Sequence, residues 1–284
     1  MVAAELYAAP TINLNNHYSY GANIGFMDWL PNGGSGVSIG EFVCAGYVYS
    51  ADVGWISLGS GFPANGIQYA NNSASDFGVN YSVDPSQPGV AILRGYAYGA
   101  NIGWINFEGV GNPRVSLFSG TFSGYAYSAN CGWINLGDFN VHVQTDRVLM
   151  GADGNSNGIA DAWELLYFGG LLPPGAENTD PNGTGMSLLQ DYLGGTDPRF
   201  ADSALRIVAF GAGGSGATSS LTFVSNAARL YTIQTNTDLS LSAGWTDVGL
   251  GVFAPDAGNR TTRVLNGSPT PRRFYRVVPV RPLP

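Results

Sequence analysis

The chain has 284 residues, of which only 11% are charged, and it carries a net charge of −8 with no lysine among its 12 cationic side chains. Arginines so few and so outnumbered cannot neutralise a phosphate backbone, which excludes a nucleic-acid partner and disfavours an anionic membrane surface. No run of about 18 apolar residues is present to span a bilayer as a helix, so no membrane insertion is expected.

Residues 1–16 form an N-terminal extension outside any repeat. Val2, Ala4, Leu6 and Ala8 alternate with other residues and are followed by Ile12 and Leu14, the pattern of a strand. The first residues lack the basic and apolar regions of a signal peptide. The chain is therefore either intracellular or a mature form exported earlier, and a Gly- and Asn-rich, charge-poor β sequence favours the exterior.

Residues 17–148 repeat one unit four times, at 18–26, 46–56, 95–105 and 124–134: a Tyr-x-Tyr pair, a short turn, then Gly-Trp-Ile. The aromatic pairs alternate with small residues, and Asn and Gly in the turn enter left-handed conformations at low cost. Each copy thus reads as strand, turn, strand. A longer insertion at 65–89 separates two similar halves. Tyr47, Tyr49 and Trp55, Tyr96, Tyr98 and Trp104, and Tyr125, Tyr127 and Trp133 are expected to stack as a ladder that forms the core. The competing reading is a row of exposed rings that grip sugar faces. Phe26 replaces the tryptophan in the first copy, which a packing role tolerates better. Cys44 and Cys131, the two cysteines, are expected either to bridge or to remain buried thiols.

Residues 149–203 hold the sharpest chemical pattern. Asp153, Asn155, Asn157, Ile159 (through its carbonyl), Asp161 and Glu164 occupy the ligand positions of a twelve-residue EF-hand loop, with Gly158 at the sharp turn. Calcium takes six to eight hard oxygens, and three carboxylates supply a fitting charge. A short helix over 162–168 would present Glu164 back to the ion. A degraded copy follows with Asp180, Asn182, Thr184, Met186 and Asp191; Leu188 stands at its ninth position, and Asp197 lies near enough to assist.

This stretch resembles the paired calcium loops of dockerins and thrombospondin type 3 repeats, and the Gly-Thr-Asp-Pro tails of large secreted bacterial proteins. The aromatic units are similar to repeats in secreted bacterial proteins. The resemblance implies an extracellular, structural role and carries no catalytic residue. Two enzyme-like strings are declined. Gly36-Val-Ser38-Ile-Gly40 lacks the strand-to-helix context of a nucleophile elbow, and the glycines from Gly211 to Gly216 precede a strand-like run instead of a helix.

Residues 204–284 contain six strand-like runs, at 205–210, 219–224, 229–235, 245–250, 261–265 and 273–280, which suggests an immunoglobulin-like sandwich one strand short of seven. An unfinished sheet invites a partner strand. The expected fold is therefore mainly β: a repeated-hairpin domain, a short calcium-loop linker with small helices, and a C-terminal immunoglobulin-like sandwich. The expected function is non-enzymatic: a subunit of a secreted, calcium-stabilised, pilus-like filament, a homopolymer in which residues 2–14 of one copy complete the C-terminal sandwich of the next. The alternative is a secreted module that holds polysaccharide on its Tyr/Trp repeats.

Overall fold

The computed structural model describes residues 9–31, 36–138, 140–211, 218–240, 244–266 and 272–284. The chain divides into two compact units. One comprises Met1–Val83, Val90–Pro174 and Leu283–Pro284; the other comprises Asp84–Gly89 and Gly175–Pro282.

In the first unit each aromatic repeat folds into one hairpin: β1 (Ile12–Gly21) with β2 (Gly25–Asp28), β4 (Cys44–Ser50) with β5 (Gly54–Ser60), β7 (Val90–Gly99) with β8 (Gly103–Asn106), and β10 (Phe122–Ser128) with β11 (Gly132–Gly137). The hairpins then pair side by side, β2 with β4, β5 with β7, β8 with β10, and β11 with β1. The last pairing closes an eight-stranded barrel with pseudo-fourfold repetition. Short strands β3 (Ser38–Ile39), β6 (Val79–Val83), β9 (Arg114–Ser116) and β12 (Val143–Thr145) extend its wall. As expected from the turn chemistry, Gly25, Gly54, Gly103 and Gly132 all take the left-handed conformation, with φ between +65° and +79°.

The register is the same at all four seams: Met27 faces Ser50, Ile56 faces Gly99, Ile105 faces Ser128 and Ile134 faces Gly21. The interior is accordingly stacked in layers of four, one side chain per repeat. Ile24, Val53, Ile102 and Cys131 close the turn end. Met27, Ile56, Ile105 and Ile134 follow, then Ser19, Val48, Ala97 and Ala126, then Trp29, Leu58, Phe107 and Leu136, all buried. Trp29 donates its indole N–H to Ser19 Oγ at 2.8 Å, so the one large polar ring inside is satisfied. The remaining void is about 20 Å³ with an apolar lining. The barrel is a packed core and no pore.

This layering overturns the expectation that the Tyr/Trp ladder forms the core. The rings project outward: Trp55 and Trp104 are each 46% exposed, Trp133 49% and Phe26 56%. The bore of an eight-stranded barrel holds only a few medium side chains per layer. Small and aliphatic side chains fill most of it, with Trp29 and Phe107 in one layer, and buried tyrosine hydroxyls there would lack partners.

The asparagine in the turn is explained by ring closure. Asn23 Nδ2 donates to the Cys131 carbonyl (3.1 Å), Asn101 Nδ2 to that of Val53 (3.1 Å) and Asn130 Nδ2 to that of Ile102 (2.9 Å), each stapling one hairpin to its neighbour. The second repeat carries Asp52 at this position. A carboxylate cannot donate, and Ser50 Oγ instead reaches the Ile24 carbonyl at 3.3 Å. Asp52→Asn is expected to supply the fourth staple and raise the melting temperature by roughly 2–4 °C, the shift that about 1 kcal/mol gives in a protein of this size. A thermal melt that is unchanged or lowered would refute this account of the turn.

Of the two readings left open for the cysteines the structure has the buried thiols, and the donor reading of Ile12 and Leu14 is corrected. Cys44 and Cys131 form no disulfide; both are buried thiols, and burial pushes the Cys44 thiol far up. Cys44 begins its strand whereas Cys131 lies in a turn at the opposite end of the barrel. Roughly 20 Å of strand length intervenes, far beyond disulfide reach. Ile12 and Leu14 are not free to donate to another copy, because they belong to β1. Ile12 is buried opposite Thr145, and Thr11 donates its N–H to the Val37 carbonyl. A bulge between Ile12 and His17 breaks the alternation and leaves Leu14 in solvent. Val2, Ala4, Leu6 and Ala8 lie outside the described residues.

The second unit has two three-stranded antiparallel sheets. One is ordered β13 (Ile207–Gly211), β14 (Ser219–Val224), β17 (Arg260–Leu265); the other β16 (Thr246–Asp247), β15 (Leu230–Asn236), β18 (Phe274–Val280). All six expected runs are strands. Leu221, Phe223 and Leu265 from the first sheet meet Tyr231 and Ile233 from the second in one core. The pairings do not identify an immunoglobulin-type sandwich; what stands is two small sheets sharing a core. Among the described residues no helix is long and apolar enough to cross a membrane.

Candidate functional site

The outward rings form four near-identical clusters. In each hairpin the ring after the turn glycine faces a tyrosine directly across the ladder: Phe26 with Tyr20, Trp55 with Tyr49, Trp104 with Tyr98, Trp133 with Tyr127. Those three Trp–Tyr centroid distances are 5.0, 4.9 and 5.0 Å. The other tyrosine of each cluster, Tyr47, Tyr96 or Tyr125, stands 6.2 Å from its tryptophan, edge-on. Tyr18 completes the first cluster at 6.1 Å from Phe26. Cross-strand packing holds each ring without burying it.

The first acidic loop is built as its sequence suggests. Gly158 has φ +81°, and helix α1 (Asp161–Phe168) follows directly. Asp153 accepts from the N–H groups of Asn157 (3.0 Å) and Gly158 (2.9 Å), and Asp161 accepts from that of Gly154 (2.9 Å). α1 turns Glu164 inward until it is fully buried. Its oxygens accept only from neutral donors: Asn155 Nδ2 at 3.2 Å, Asn157 Nδ2 at 2.5 Å and Leu172 N–H at 3.2 Å. Asn155 Oδ1 is buried without a partner, and Ile159 is fully buried. A buried carboxylate and an orphaned amide oxygen are groups that a hard cation would satisfy. The residues that could hold calcium here are Asp153, Asn155, Asn157, Asp161 and Glu164, with the Ile159 carbonyl.

The second loop lies in the other unit and repeats the pattern. Asp180 accepts from Thr184 N–H (3.0 Å) and Gly185 N–H (2.7 Å), which hold its carboxyl below the usual range. Thr184 Oγ1 donates to Asn182 Oδ1 at 3.0 Å and accepts from Met186 N–H at 3.3 Å. Leu188, the departure at position nine, is the first residue of helix α2 (Leu188–Gly194), capped by Ser187 and Gln190. α2 buries Asp191 completely. Thr196 Oγ1 donates to its Oδ1 at 2.5 Å, while Oδ2 has no partner. Burial chiefly, then the neighbouring Asp180 and Asp197 charges, raises the Asp191 carboxyl above the ordinary carboxylate range. Arg229 anchors the end of α2 by donating to the Tyr192 and Leu193 carbonyls. Among the described residues no three His, Cys, Asp or Glu side chains converge on one point, so at either loop the donors would be mixed carboxylate, amide and carbonyl oxygens.

Ser38, in the declined elbow string, is buried and donates to the Ala9 carbonyl, while His17 pairs with Asp28 at 2.7 Å. Residues that sequence reasoning passed over are Asn72, Ser73 and Phe77, which flank the third aromatic cluster. The signal was the insertion at 65–89, the one interruption of the fourfold pattern. In comparisons with known proteins, the chain matches no family model, no curated protein and no solved structure.

Proposed function

We propose that this chain is a non-catalytic extracellular subunit that polymerises with itself, residues 1–8 of one copy adding a strand to the open edge of β13 in another, and that its two acidic loops bind calcium. The observation that carries the reading is β13. Among the described residues it pairs only with β14, and all five of its residues are exposed, with Ile207, Val208 and Phe210 among them. Natural sheets blunt such edges with charge or proline, and an apolar open edge is a template for an added strand. The alternating apolar residues Val2, Ala4, Leu6 and Ala8 are a chemically suitable strand to fill it.

The test is negative-stain microscopy of the full chain beside two variants, one lacking residues 1–8 and one carrying Val208→Lys. Fibres are expected from the parent, and none from either variant, while both variants keep the parent's melting temperature. A parent that stays monodisperse, or fibres of unchanged geometry from the truncated chain, would refute donor-strand assembly. A second reading, adhesion to polysaccharide, is favoured by the four outward aromatic clusters.

A further inference from the structure

The fourfold symmetry of the barrel wall is broken in one place, and the break makes a cleft. The insertion at 65–89 sends the segment 71–77 over the third aromatic cluster. That segment is fixed from below. Asp76 is buried, its carboxylate accepting from Ala64 N–H (3.1 Å) and Ala70 N–H (3.2 Å), while the Asn71 N–H donates to its carbonyl at 3.0 Å. Asn71, at φ +56°, accepts from Gly78 N–H at 3.0 Å. Phe77 is thereby set edge-on against Trp104, with centroids 5.1 Å apart at 85°.

Between this segment and the hairpin lies a cleft of about 410 Å³ lined by Asn71, Asn72, Ser73, Phe77, Tyr96 and Trp104. Its volume falls within the roughly 300–1,000 Å³ of small-molecule sites. Three aromatic rings, two amides and the hydroxyls of Ser73 and Tyr96 line it, and no carboxylate, guanidinium or imidazole does. A phosphate, a nucleotide or a charged peptide would find no counter-charge there and would lose its hydration uncompensated. A pyranose has the opposite character. Its axial C–H face is weakly positive and suits the negative face of an indole or phenol ring, and its hydroxyls both donate and accept, as amides do.

We propose that this cleft binds a neutral oligosaccharide, with Trp104 and Tyr96 as the stacking floor, Phe77 as the wall, and Asn72 and Ser73 as the polar rim. The inference rests on the second of the two readings above and is independent of polymerisation. The second and fourth clusters hold the same three rings without Phe77 beside them, and the first has Phe26 in place of the tryptophan, so Trp55 and Trp133 serve as internal controls. The loop is held by the Asp76 carboxylate, the Asn71 amide and one backbone bond within the fold, which makes the site pre-shaped and lowers the ordering cost of a weak ligand.

The experiment titrates the full chain, by calorimetry and tryptophan fluorescence, with neutral hexasaccharides of β-1,4-glucan, β-1,3-glucan, β-1,4-mannan and β-1,4-linked N-acetylglucosamine, and with hexagalacturonate as a charged comparison. At least one neutral probe is expected to bind and the charged one not. Trp104→Ala is expected to weaken binding by at least about tenfold and Trp133→Ala by less than about twofold, a tenfold change being 1.4 kcal/mol. Trp104 is half exposed, so its loss should leave the melt near that of the parent. Three outcomes would each overturn the assignment: no neutral probe binding, equal losses in the two variants, or hexagalacturonate binding as tightly as the neutral probes. Fibre formation is scored separately, so failure of one reading is distinguishable from failure of the other.

Discussion

Gly124→Ala is expected to unfold the barrel at temperatures where the parent is intact. Gly124 lies within β10, where the register with β11 shifts, with φ +82°. A Cβ added there would lie 2.3 Å from the Asn112 carbonyl oxygen and 2.7 Å from that of Gly111. Both obstacles are main chain, so no rotamer change relieves them. Left-handed strain alone costs an alanine about 1 kcal/mol. Displacing the main chain beside β10 adds a clash of the kind that places a substitution in the severe tail, beyond about 4 kcal/mol. The melting temperature should then fall by roughly 10 °C or more. Gly109→Ala is the matched control, because Gly109 has φ +77° with nothing within 4 Å of its added Cβ; it isolates the strain from the clash. Circular dichroism melts that place the two variants within about 2 °C of each other would refute the close-approach argument, since a difference of several kcal/mol must separate them.

Chelation is the second large effect. Glu164 and Asp191 are both wholly buried carboxylates, and their described partners are uncharged. A cation that binds the folded loops and not the unfolded chain stabilises by about 2.7 kcal/mol per site at a hundred times its dissociation constant. Removing calcium with excess EGTA is therefore expected to lower the melting temperature by roughly 5–10 °C. Re-addition of calcium should restore it, and magnesium at equal concentration should not, because magnesium demands a tighter octahedron and sheds water reluctantly. Glu164→Gln should abolish the calcium response of the first unit, and Asp191→Asn that of the second. The two loops lie in separate units, so each variant should leave the other loop's response in place. A melt indifferent to EGTA would remove calcium from the proposed function and leave the buried carboxylates unexplained.

Much of the local structure was legible before folding. The repeats are hairpins, their glycines are left-handed, α1 begins where the loop pattern placed it, and all six C-terminal runs are strands. Each of these follows from neighbours a few residues apart: alternation, a turn residue, a helix start. The acidic loops were readable for the same reason, since one short segment carries most of their oxygen donors. Where the reading failed, the missing information was long-range. The choice between a bridge and two thiols at Cys44 and Cys131 stayed open because it turns on which end of the barrel each occupies. Ile12 and Leu14 looked free until β12, more than a hundred residues on, paired beside β1.

The amino-acid order by itself determined four like units, their turns and a β-rich chain with two oxygen-lined loops. Tertiary closure alone decided which face of each hairpin is inside. Period-two alternation is symmetric: it sorts side chains into two sets and cannot say which set meets water. Only when eight strands close does the bore become too narrow for twelve rings, so that the other face of each hairpin goes inward and the repeat's tyrosines, tryptophans and Phe26 go out. The pairing of β6 with β7 brought the inserted segment 71–77 beside Trp104. It thereby turned one of four equivalent clusters into a cleft.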